Sequence, residues 1–141
     1  MLTGRVEKIH FTRFNEGDDL IESVERVAEE KSIKAGAFFI IGALKHVVVG
    51  HYKERKYTTI KLNGHFEIVS CTGNIALDEE KRTIVHAHIV VSNEKGETFG
   101  GHLFQGNRVG PTAELVMFEA EGVSLLKVYD ETTNLKLLKL N

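Results

Sequence analysis

Residues 83–103 read TIVHAHIVVSNEKGETFGGHL, and the way this stretch folds decides the architecture. In TIVHAHIVV side chains alternate across a strand, so Ile84, His86, His88 and Val90 share one face while Val85, Ala87, Ile89 and Val91 share the other. The second face is wholly apolar and predicts a core. The first carries two imidazoles between Ile and Val, a partly dry setting in which a histidine needs a partner. Asn93-Glu94-Lys95-Gly96-Glu97 has the chemistry of a three-residue hairpin loop, a type I turn closed by a left-handed Gly96. With Asn93 opposite Glu97, His88 lies opposite His102, and paired residues of an antiparallel ladder point to the same face. His86, His88 and His102 then converge. A two-residue loop would reverse the parity and turn His102 away. Gly100 and Gly101 are candidates for a bulge, or for close approach of backbone to another group.

Three neutral imidazoles with an open fourth position form the ligand set of catalytic zinc sites, where the metal acidifies water or polarises a carbonyl. An isolated H-x-H is better explained by histidines hydrogen-bonded in a core or subunit interface. The third histidine at matching register brings metal forward. His10, His46, His51 and His65 lie in separate strand-like segments without ligand spacing.

Outward from the hairpin, strands are predicted at 4–11, 37–43, 46–53, 57–62, 66–76, 83–92, 97–104, 109–119, 123–130 and 135–139. One helix interrupts them. Asp18 or Asp19 caps a segment whose Leu20, Val24, Val27, Ala28 and Lys31 follow helical spacing, with Gly36 as its stop. The expected class is α+β, a single domain over 1–141 with a mixed, largely antiparallel sheet and one main helix. A chain of 141 residues is long enough for a sizeable core. The one proline, Pro111, and the lack of linker-like stretches or repeats give no domain boundary. DEEKR at 78–82 reads as a solvated turn.

Composition narrows the function classes. The formal net charge of −2 withholds the basic excess on which nucleic-acid binders rely. A lone Cys71 excludes an intrachain disulfide framework and fits a reducing cytosol. The first residues, MLTGRVEKIHFTRF, carry early charges and no signal-length apolar stretch, and the longest apolar run, AFFIIGAL at 37–44, is strand-sized. A soluble, cytoplasmic protein without membrane contact is expected.

From Gly42 onward the chain resembles the plants-and-prokaryotes-conserved domain: Gly42-Ala43-Leu44, Gly50-His51-Tyr52, then GHFEIVSCTGNIAL, VHAHIVVS, GGHLFQGNRVG and TAELVM. The resemblance implies a homotrimer. In plants the domain accompanies an AT-hook and works in transcriptional regulation, which implies a DNA or regulatory-protein partner. This sequence has no Arg-Gly-Arg-Pro hook, and where the plant interaction motif reads GRFEIL it reads Gly64-His65-Phe66-Glu67-Ile68-Val69. The histidines also look like the zinc ligands of acetolactate decarboxylase, whose fold is similar, and the family positions fall on His86, His88 and His102.

Two functions follow as expectations. The first is a trimeric metal-binding regulatory or DNA-associated module, with Lys53, Arg55 and Lys56 as its basic patch. The second is a zinc-dependent lyase or hydrolase acting on a small oxyanion, in which Glu67 or Glu114 moves protons and Arg108 holds the anion. A third reading, a scaffold acting through its strand edges and sheet faces, predicts that histidine substitutions alter stability alone.

Overall fold

A computed structural model of the chain describes residues 1–139. In chain order these form β1 (Arg5–Asn15), α1 (Leu20–Glu30), β2 (Gly36–Lys53), β3 (Lys56–Leu77), β4 (Thr83–Ser92), β5 (Thr98–Leu103), β6 (Arg108–Glu121), β7 (Lys127–Asp130) and β8 (Leu135–Leu138). Six strands make one sheet in the order β1-β6-β2-β3-β4-β5, and β7 and β8 form a separate hairpin. Every pairing between named strands is antiparallel, and Leu77 and Leu126 add an isolated parallel bridge. With one helix among the described residues, the class is the α+β one expected.

The sheet bends back on itself. β5 pairs with β4 along its length and also meets β2 at Val49↔Leu103 and Gly50↔His102. Gly101 permits this, since a Cβ there would lie 2.5 Å from the Gly50 carbonyl oxygen. The glycine pair therefore serves close approach, and the β4–β5 register runs unbroken from His88↔His102 to Ser92↔Thr98.

Where the sequence predicted breaks between 43 and 46 and between 62 and 66, two long strands run through. β2 absorbs the strain in register shifts at Ile40/Gly42 and Leu44/His46, and β3 passes Gly64 at φ +135°. A further shift at Ile68/Ser70 reverses the facing of β3, so that Phe66, Ile68 and Cys71 are buried while Val69 is exposed. Simple alternation puts Cys71 on the face opposite Phe66; the extra residue brings it into the core, where burial pushes its thiol up to about 12.

α1 packs Leu20, Ile21, Val24 and Ala28 against the core side of the sheet. Asp19 caps it, accepting from the Glu22 amide at 3.3 Å and, through its other oxygen, from the Gly106 amide at 2.6 Å. The helix stops earlier than Gly36. Ser32, at φ +56°, takes the left-handed position, and its amide and that of Ile33 return to the carbonyls of Glu29 and Ala28 at 3.0 and 2.8 Å. Gly36 instead opens β2, where a Cβ would meet the Phe118 carbonyl oxygen at 2.6 Å.

The β7–β8 hairpin is shorter than the strand predicted at 123–130 and is held by tethers. The Leu77 amide donates to Leu125 at 2.9 Å, and Lys136 Nζ donates to Asp78 at 3.0 Å. The Tyr52 hydroxyl and the Arg55 guanidinium donate to the carbonyls of Thr133 and Glu131 in its turn. DEEKR is thus more than a solvated turn, because Asp78 is buried and also holds Arg82. Desolvation pushes the Asp78 carboxyl up, but hydrogen bonds from Arg82 and Lys136 outweigh it and hold the group well below the usual range. No helix among the described residues is long and apolar enough to cross a membrane.

Candidate metal centre

The site grows from the two faces of β4. Val85, Ala87, Ile89 and Val91 are buried in the core, which leaves His86 and His88 on the opposite face. The Asn93–Glu97 loop then sets β5. The Asn93 amide donates to Glu97 at 3.0 Å, the Gly96 amide donates to Asn93 at 2.9 Å, and Gly96 sits at φ +76°. This is the three-residue loop read from the sequence, and it places His102 directly opposite His88.

The three rings converge. Their centroids are 5.0 Å apart for His86–His102, 5.2 Å for His86–His88 and 5.7 Å for His88–His102. One ring nitrogen from each lies within 4.8 Å of the others. Tetrahedral zinc holds nitrogens at about 2.0–2.1 Å, hence about 3.4 Å from one another. The three nitrogens therefore stand within about 1.4 Å of that spacing.

The chemistry of the donors also fits a metal. Burial first, then the charges of Lys127 and His88, lowers His86. Burial, followed by His86, His88 and Lys127, brings His102 down to about 4. Both rings are therefore neutral at neutral pH, the form that ligates. His102 Nδ1 is buried and has no hydrogen-bond partner among the described residues, an orphaned polar atom that a metal, or a group bound to it, would satisfy. His102 packs against the rings of Tyr57 and Phe104, each with its centroid 4.8 Å away, and these two rings also touch each other.

His86 and His102 form part of the wall of a 370 Å³ cavity that also involves Tyr57, Asn74, Lys127 and the β8 leucines. Lys127 is only 5% exposed, and burial lowers its ammonium to about 8. Sequence reading missed this lysine and its neighbours Tyr57 and Asn74. The signal for Lys127 was a charge set alone among apolar residues in Leu125-Leu126-Lys127-Val128.

The other candidates lie elsewhere. Glu67, exposed on β3, faces Ala43 and Ser92, and Glu114, exposed on β6, faces Arg13 and Ile41. Among the described residues the ligand cluster contains no carboxylate. His10 bonds Glu119 at 2.9 Å and His46 bonds Asn63, while His51 and His65 are exposed. Arg108 stands 3.9 Å from Asp19 beside the helix cap. Lys53, Arg55 and Lys56 form the end of the β2–β3 hairpin, with Glu54 and Arg55 in the left-handed region.

Known proteins resemble this chain to differing extents. A metal-containing protein from Archaeoglobus fulgidus is 29% identical with a TM-score of 0.90, the match covering 99% of both chains. A plant- and prokaryote-conserved protein from Pyrococcus horikoshii is 28% identical, also at 0.90, over 99% of this chain and 96% of that one. Acetolactate decarboxylase from Bacillus subtilis shares the fold more distantly, at 14% identity and a TM-score of 0.51, over 89% of this chain and 57% of that one. Among curated proteins, the bifunctional protein GlmU of a Synechococcus strain is 30% identical over 114 residues, which is 80% of this chain. The chain spans only 17% of the length of that relative. The profile of the Plants and Prokaryotes Conserved domain matches residues 1–121, which include every strand of the large sheet and all three clustered histidines, and the chain belongs to that family.

Proposed function

We propose that this chain is a metal-holding regulatory module of the cytosol, with zinc on His86, His88 and His102 and three copies to an assembly. The observation that carries the reading is the convergence of three ring nitrogens within 4.8 Å at the edge of a cavity. Zinc is preferred on ligand number and type, three imidazoles leaving a fourth position open. When bound, such a metal supplies a Lewis acid at that position. The protein's own part is to hold three imidazoles on a rigid hairpin and to keep one side of the site apolar.

Assembly is supported by an apolar surface across β1, β6 and β2. Phe11, 75% exposed, stands opposite Val116, which in turn stands opposite the exposed Phe39; Ile9 stands opposite Phe118, and Ile41 is exposed nearby. Contiguous apolar exposure of this kind marks interaction surfaces. A DNA or regulatory-protein partner belongs to the same reading, and the basic β2–β3 hairpin end is where phosphate contact would begin.

The second reading, a zinc-dependent lyase or hydrolase on a small oxyanion, is favoured by the cavity and by Lys127 on its wall. In it, Glu67 or Glu114 would act as base from a neighbouring copy, since neither joins the histidines of its own chain.

Native mass spectrometry of wild type beside His88→Ala tests the proposal. His88 is exposed, so its loss should spare the fold. A trimer with one zinc per chain, absent in the variant, is the expected result. A protein that stays metal-free after incubation with zinc would overturn it, and DNA binding that weakens steeply with salt would extend it to nucleic acid.

A further inference from the structure

Lys127 raises a problem of charge that the metal reading does not resolve. Its side chain is buried and makes no salt bridge or side-chain hydrogen bond with any described residue. Its Nζ is not one of the fully buried unpartnered atoms, so it opens on the cavity, where it is left with little water and no counter-ion, a setting in which lysines are ordinarily found paired. The nearby carboxylates are already committed. Asp78 is bound to Arg82 and Lys136, and Asp130 accepts from the amide and hydroxyl of Thr133. The cavity wall shared by Lys127, His86 and His102 includes no acidic residue. A metal on the histidines would add positive charge to the same space.

We propose that Lys127 is the anchor for a bound anion, and that the cavity takes a short aliphatic monocarboxylate. Its carboxylate accepts from the Lys127 ammonium on the wall that also carries His86 and His102, where a metal held by the histidines would supply a Lewis acid. Its alkyl chain lies along Ile84, Leu135, Leu137 and Leu138, which make the rest of the wall largely apolar. This lining selects the class. Phosphate or sulfate would leave the leucines facing water, and since Lys136 on the same wall is already bound to Asp78, the free donors are Lys127, Asn74 and Tyr57. A neutral ligand would leave the lysine unpaired. The volume of 370 Å³ suits a chain of a few carbons. Lys127 and the β8 leucines lie beyond residue 121, where the family profile ends, so the anchor belongs to the C-terminal segment of this chain rather than to the matched domain.

The inference rests on the metal reading of the same site, and one experiment separates the two. The protein is loaded with Co(II), whose visible bands report histidine ligation, and titrated with hexanoate, using 1-hexanol as the uncharged control. Binding is followed by those bands and by calorimetry. Hexanoate should bind and shift the bands while hexanol does not. Lys127→Met should weaken hexanoate by about tenfold or more, the loss expected on removing a hydrogen bond to a charged group, and Lys127→Arg should retain most of the affinity. Bands that appear but do not respond, hexanol binding as well as hexanoate, or equal affinity in Lys127→Met would each overturn the anchor and leave the metal site standing. Absence of histidine-ligated bands would remove the metal reading and this proposal with it. Should Lys127→Met fail to fold, hexanoate against hexanol on wild type and Lys127→Arg still decides.

Discussion

Two hairpins meet at the cavity, and they are built in opposite ways. β4–β5 is set from within: Asn93 and Gly96 close its loop, ten-residue β4 buries one face in the core, and the register delivers His102 to His88. β7–β8 has strands of four residues each and is positioned from outside, by Asp78, Tyr52 and Arg55 reaching it from other elements. The first supplies the three imidazoles, the second the cation and the apolar wall. The donor geometry therefore depends on local turn chemistry, whereas the pocket beside it depends on long-range tethers.

The sharpest way to break this contrast is to change the spacing between the loop and His102. Inserting one alanine between Thr98 and Phe99 keeps the loop but moves His102 one position along β5, onto the other face. Zinc stoichiometry by native mass spectrometry should fall to zero. If the variant folds and still binds one zinc per chain, the register counted from the turn does not set the site.

A smaller effect is expected where β5 closes on β2. Gly101→Ala puts a Cβ 2.5 Å from the Gly50 carbonyl oxygen, backbone against side chain with no flexible group to yield. It should cost about 1–3 kcal/mol, the usual range for overpacking, read as a lower urea midpoint. A midpoint equal to wild type would mean that the two strands part easily.

Acidification should separate the hairpins by pH. His102 is lowered to about 4 in the fold against an ordinary value of about 6.5, so the unfolded chain binds more protons between those values. Its contribution to the metal-free protein is fully present above about pH 6.5 and is lost as pH falls toward 4. Asp78, also held low, contributes above its unfolded value of about 3.8 and loses that contribution only below it. Melting curves below neutral pH should thus show two steps, the upper one shared with His86, which burial also lowers. His102→Gln should shrink the upper one, and Asp78→Asn the lower. An upper step unchanged by His102→Gln would contradict the assignment.

Legibility from the sequence follows the same division. The helix start, both faces of β4, the loop and the three-histidine convergence could be read because each depends on residues a few positions apart. The family resemblance covered the same region. The bulges at Ile40/Gly42, Leu44/His46 and Ile68/Ser70 could not be read, since a register shift is set by the partner strand and alternation alone carries no trace of it. This is why two long strands looked like four and why Cys71 changes face. The end of α1 was missed because Ser32 takes a left-handed position that favours glycine, and Gly36 drew attention to itself. Lys127 was missed because its burial comes from a hairpin whose placement depends on Asp78, roughly fifty residues earlier in the sequence.

The return of β5 to β2 also bears on self-association. A strand whose outer side is free offers its amides and carbonyls to any other chain, which is how sheets run on into fibres. Pairing His102 and Leu103 with Gly50 and Val49 removes much of that opportunity at one end of the six-stranded sheet. The long margin that remains is that of β1. It carries Arg5, Glu7, Lys8 and Arg13, and it is kinked by a register shift between Val6 and Lys8. Charge and irregularity there discourage edge-to-edge growth.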